Sequence, residues 1–76
     1  VERIRELSEL RLSKLTEREL AILRLIADGW SDREIAAQLY FSETTITREG
    51  QHILNKLGAR NRAQAVAEAY KRGMIS

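Results

Sequence analysis

The chain has no cysteine and a single histidine, which excludes a disulfide framework, a thiolate metal site and a cluster of imidazole ligands. Proline is also absent. Strand-like alternation is short throughout and helix formers dominate, so the chain reads as all-α. Long apolar runs are missing: the longest is the four residues Leu20 to Leu23, against the ~20 that a membrane-spanning helix needs. No signal-peptide pattern opens the sequence; the cytoplasm is the expected compartment, and no membrane partner is expected. A strong charge of either sign is lacking too, with 13 basic and 11 acidic side chains giving a net charge of +2. At 76 residues the core is thin, because a chain of this size buries only roughly 60% of its unfolded surface. A thin core without a deep cleft argues against an enzyme.

Hydrophobic residues make up 43% of the sequence and charged residues 32%, a balance suited to one small globular domain and not to a disordered tail. Val1 rather than Met stands first, so the sequence reads as a fragment or a processed chain. Residues 1–12 carry Ile4, Leu7 and Leu10 at helical spacing among charges. They read either as the end of a helical linker or as a frayed lead-in, with the domain proper over 13–76.

Four helix-start signals punctuate the remainder. Thr16 with Glu19 and Ser31 with Glu34 have the spacing of a capping box. Ser42 supplies a cap followed by an acid, Glu43, without the reciprocal partner. Asn61 caps and Gln64 closes. Gly29, Gly58 and Gly73 each follow an apolar-periodic stretch, where a left-handed residue favours a stop. The pattern predicts helices over about 16–28, 31–38, 42–57 and 61–72. Their inward stripes are Leu20, Leu23, Ile26 and Ala27; Ile35, Ala36 and Leu39; Ile46, Ile53, Leu54 and Leu57; and Ala65, Val66 and Ala69. Trp30 and Phe41, in the connections, are expected to plug gaps between helices, with base stacking as the other option.

The third helix carries the functional signal. At 100° per residue, Gly50, Ile53 and Leu57 fall within about 40° of Ile46 and define a buried side. The opposite side holds Thr44, Arg48, Gln51 and Asn55, flanked by Thr47 and His52. A tight two-helix unit whose second helix shows such a stripe suits a DNA major groove. Arginine bonds bidentately to guanine, glutamine to adenine, and a threonine methyl touches thymine. The capped N-terminus of the helix offers a positive dipole end and free amides to a phosphate. Within 42–62, Arg48, Lys56, Arg60 and Arg62 stand against Glu43 and Glu49, whereas acids outnumber bases over 16–41. An ordinary solvated helix face is the competing reading of the same residues.

Several stretches taken together resemble the LuxR-type helix-turn-helix domain: Leu15-Thr16-Glu17-Arg18-Glu19, Ile22 to Gly29, Ser31 with Glu34-Ile35-Ala36, Ser42 with Thr45-Ile46, Ile53 with Lys56-Leu57-Gly58-Ala59, and Asn61 to Val66. The first half alone also fits the promoter-reading end of a bacterial sigma factor; the Lys56–Ala63 turn and the fourth helix favour the LuxR type. The resemblance implies a compact four-helix bundle and the DNA-binding part of a larger, signal-responsive bacterial transcription regulator. Such a module acts on double-stranded DNA at the nucleoid, without cofactor, metal or catalysis. It implies base contacts from Thr47, Arg48 and Gln51, and phosphate contacts from Ser42, Thr44, Thr45, His52, Asn55 and Lys56. It further implies a homodimer through the fourth helix at Ala67, Tyr70 and Lys71, inverted half-sites, and RNA polymerase as a further partner. An ordinary outer helix is the other reading of that fourth element.

The sequence departs from the family pattern where Thr47 replaces the usual lysine and Glu49 the usual histidine. Glu49 either pairs locally with His52, repels phosphate, or accepts from cytosine N4. If these departures abolish DNA affinity, the module becomes a degenerate relative serving protein interaction or dimerisation. Gly50 costs about 1 kcal/mol relative to alanine in mid-helix. It implies either the close approach of another helix or a flex point.

Overall fold

The computed structural model describes residues 15–76, so the lead-in containing Ile4, Leu7 and Leu10 lies outside the described residues. Four helices follow in order: α1 (Glu17–Ala27), α2 (Asp32–Leu39), α3 (Glu43–Leu57) and α4 (Arg62–Lys71). Each begins at its expected cap. Thr16 and Glu19 exchange hydrogen bonds of 2.8 and 3.1 Å, and Ser31 and Glu34 bonds of 2.9 and 3.2 Å, completing two capping boxes. Ser42 Oγ accepts from the Thr45 amide at 3.1 Å and Asn61 Oδ1 from the Gln64 amide at 2.8 Å. Gln64 does not return the bond to Asn61. Its Oε1 accepts from the Arg60 amide at 2.7 Å instead, tying down the turn before α4.

The helices also stop alike. Past each one, an amide bonds to the carbonyl five residues back: Trp30 to Leu25, Phe41 to Ala36, Ala59 to Leu54 and Met74 to Ala69, at 2.9–3.0 Å. This closure requires a left-handed residue just before the closing amide. Gly29, Gly58 and Gly73 supply it with φ of 91°, 64° and 71°. After α2 no glycine is present, and Tyr40 takes φ 60° and ψ 40° with its side chain 94% exposed.

Helix α3 is the axle, packing against α1, α2 and α4, while α1 also meets α4. Ile22, Leu23, Ile35, Ile46 and Ile53 are fully buried, each contributing about 1.5–3 kcal/mol. Leu57, Ala36, Ala65 and Ala69 complete the centre, closed by Leu15 before α1 and Ile75 after α4.

Three expectations need correction. Ile22, outside the predicted stripe of α1, is fully buried, whereas Leu20, Ile26 and Ala27 lie only partly inside. Phe41 does not plug the core: it is exposed, with the Arg18 guanidinium carbon 5.4 Å from its ring centroid. Trp30 does pack against the core. On α3 the inward stripe is Ile46, Glu49, Ile53 and Leu57. Gly50 is half-buried, and a Cβ added to it meets no atom within 4 Å, so no neighbouring helix presses on it.

Candidate nucleic-acid interface

The short loop between α2 and α3 holds the two helices against each other, and the capped start of α3 projects its first turns into solvent. Thr44, Thr47, Arg48, Gln51, His52 and Asn55 are all exposed. They form one continuous polar face, unobstructed by the described residues. Glu43, Thr44, Thr47, Arg48 and Gln51 line a shallow depression on it. Gln51 Nε2 donates to Asn55 Oδ1 at 3.4 Å, a weak link that a stronger partner replaces at little cost. At the N-terminal end, the Ser42 and Thr45 hydroxyls are 2.8 Å apart, and Thr45 is set back and half-buried.

The cations sort into spent and free. Lys56 Nζ lies 2.7 Å from Glu19 Oε1, Arg18 Nη2 lies 2.7 Å from Glu49 Oε1, and Arg62 is paired with Asp32. Glu68 holds Arg72 and, more loosely, Lys71. Among the described residues no carboxylate lies within ion-pair distance of Arg24, Arg33, Arg48 or Arg60. Arg48 is therefore the free cation on the polar face of α3, and its guanidinium is available to an anion or a base edge.

Lys56 also has a structural role that the sequence did not suggest, since its ammonium joins α3 to the capping box of α1. Glu19 is nearly fully buried. Burial pushes its carboxyl pKa up, but the Lys56 hydrogen bond, the Thr16 amide and hydroxyl, and the Lys56 charge together outweigh that. Its pKa is held below the ordinary value of 4.5. Glu34 is also held below 4.5, by the Ser31 amide and then the Ser31 hydroxyl.

Of the alternatives for Glu49, the local pairing with His52 is present, and a closer second partner joins it. It points inward, its main partner is Arg18 of α1, and His52 Nδ1 is a looser neighbour at 3.8 Å. Only the His52 contact, three residues away, was visible in the sequence. Burial under the Arg18 guanidinium removes this carboxylate from the polar face. Glu19, Glu49 and His52 offer ligand atoms within 4.8 Å of one another. Both carboxylates already face cations, which compete with a metal ion for the same oxygens.

On α4, Ala67, Tyr70 and Lys71 are exposed together, and Tyr70 is the large apolar side chain among them.

Comparison with known proteins places this geometry. The model of a family described as "Bacterial regulatory proteins, luxR family" matches residues 13–69. Transcriptional regulatory protein DegU of Brevibacillus brevis is 43% identical over 61 residues, covering 80% of this chain and 26% of that protein. Response regulator protein VraR of Staphylococcus aureus is 43% identical over the same length, with 80% and 29% covered. The chain thus spans under a third of the length of these relatives. Among solved structures, the response regulator ChrA of a heme-sensing two-component system superposes with a TM-score of 0.79 at 39% identity, over 82% of this chain and 31% of that one.

Proposed function

The chain belongs to the luxR family of bacterial regulatory proteins, and from that premise we propose that it reads double-stranded DNA sequence by seating α3 in the major groove. The observation that carries this reading is the exposed face of Thr44, Arg48, Gln51 and Asn55, with Arg48 free of any carboxylate among the described residues. Arg48 and Gln51 have the donor pattern for guanine and adenine edges, with Thr47 beside them. Ser42, Thr44, Thr45, His52 and Asn55 flank them as phosphate ligands. Lys56 contributes through the ammonium protons that Glu19 leaves unused. The inward Glu49 supports the reading, because its charge is compensated by Arg18 instead of facing a phosphate.

In the intact regulator, two copies meet through Ala67, Tyr70 and Lys71 of α4 and bind inverted half-sites about one helical turn apart. The complex acts in the cytoplasm, at the nucleoid, with RNA polymerase as a further partner.

Selection of bound duplexes from a random pool, followed by anisotropy titrations at several salt concentrations, tests the proposal. A preferred sequence is expected, bound with an affinity that falls steeply with salt. Arg48→Ala should relax discrimination at one base pair, at a cost of about 1–3 kcal/mol. Binding of random duplex as tightly as any selected one would refute sequence reading. Analytical ultracentrifugation with and without the selected duplex tests the dimer, and a strict monomer in both would reject it.

A further inference from the structure

Thr47 stands on the exposed face of α3, but its hydroxyl is engaged. Oγ1 donates to Asp32 Oδ2 at 2.9 Å, and the other oxygen of that carboxylate is ion-paired with Arg62. Asp32 is the first residue of α2 and Arg62 the first of α4, so one carboxylate joins three helices. The guanidinium offsets the charge of Asp32 and orients its carboxylate plane, and the carboxylate in turn selects the Thr47 rotamer.

The chemical consequence concerns what Thr47 has left to offer. A carboxylate only accepts, so the single hydroxyl proton of Thr47 is committed to Asp32. Guanine O6 and N7, adenine N7 and thymine O4 are acceptors in the major groove, and a hydroxyl without a free proton gives them nothing. The γ-methyl remains. It belongs to the depression that Thr47 shares with Thr44, Arg48 and Gln51. The apolar feature of a major-groove edge is the C5 methyl of thymine. Adenine N6 and cytosine N4 amino groups compete for the hydroxyl's lone pairs, and removal of one base methyl separates the two cases.

We propose that Asp32 is a positioning residue for base recognition, withdrawing the Thr47 hydroxyl and leaving the Thr47 methyl to select a thymine in the half-site. This rests on the DNA-reading function proposed above.

The test uses the selected half-site with its thymines replaced one at a time by deoxyuridine, which differs only in lacking the 5-methyl. At one position the unsubstituted protein should bind about fourfold more weakly, the share of one buried methyl group. Thr47→Ser, which deletes only the γ-methyl, should be indifferent to that replacement. Thr47→Val, which keeps a methyl and has no hydroxyl, should stay sensitive. Asp32→Ala, checked for folding by circular dichroism, frees the hydroxyl to donate to any acceptor and should broaden the selected base at that position beyond thymine to adenine and guanine; an unchanged preference for thymine overturns the role of Asp32. The role of Asp32 and Thr47 is overturned if no thymine methyl matters, if Thr47→Ser keeps the sensitivity, or if Thr47→Val loses it. A pool yielding no preferred sequence overturns the DNA-reading function itself, whereas a sharp half-site indifferent to uracil overturns only this inference.

Discussion

Replacing Gly50 with alanine should stabilise the domain. Gly50 lies in the middle of the 15-residue α3, where glycine costs about 0.8–1 kcal/mol relative to alanine in backbone entropy and exposed backbone. Its φ is not among the positive ones, and a Cβ placed there meets nothing within 4 Å, so no steric penalty opposes the gain. The site is half-buried, so the new methyl also removes some apolar surface from water, contributing up to about 0.4 kcal/mol. The sum is slightly above about 1 kcal/mol, and for a domain of this size it raises Tm by about 4–8 °C. Thermal melts followed by far-UV circular dichroism measure it, with urea unfolding to check that m is unchanged. DNA affinity should change by less than about twofold. An unchanged or lower Tm would refute the reasoning, because it would mean that the space around Gly50 is needed for close helix approach.

Other outcomes follow from particular contacts. Lys56→Met should cost about 1–2 kcal/mol in urea unfolding, because it leaves the buried Glu19 carboxylate without its cation; the half-exposure of Lys56 keeps the loss below that of a fully buried pair. Glu19 and Glu34 are both held below 4.5 in the folded state, so the unfolded chain takes up protons first as pH falls. Their contribution should be complete above about pH 5 and lost as pH drops through the depressed values. Acid unfolding curves should show this, with a shallower slope in Glu19→Gln. Tyr40→Gly should raise stability by about 0.5–1 kcal/mol, since φ is 60° and the ring touches almost nothing. A lower Tm would mean that the exposed ring contributes to the fold.

The boundaries of all four helices were legible because their signals are local. A cap and its partner are three residues apart, and a stop needs only one left-handed residue after an apolar stretch. The polar face of α3 was legible for the same reason, since helical periodicity alone puts Thr44, Arg48, Gln51 and Asn55 on one side. The errors came where local rules conflict with distant neighbours. Periodicity placed Gly50 inside and Glu49 on the border, whereas Arg18, arriving from α1, makes an inward Glu49 tolerable. From its place in a connection Phe41 looked like a plug between helices, yet it is partly exposed, with the same arginine over its ring.

Sequence alone therefore determined where each helix starts and ends and which residues share its outer face, because caps and helical periodicity act within a turn or two of chain. Tertiary structure alone decided which of those outer groups are still free to act. Thr47 is engaged by a carboxylate 15 residues away, Arg62 by the same one at a distance of 30, and Lys56 by one at 37. Partners that far apart in the chain meet only once α1, α2 and α4 have packed around α3. Among the described residues, that packing leaves Arg48 as the unspent cation on the face of α3.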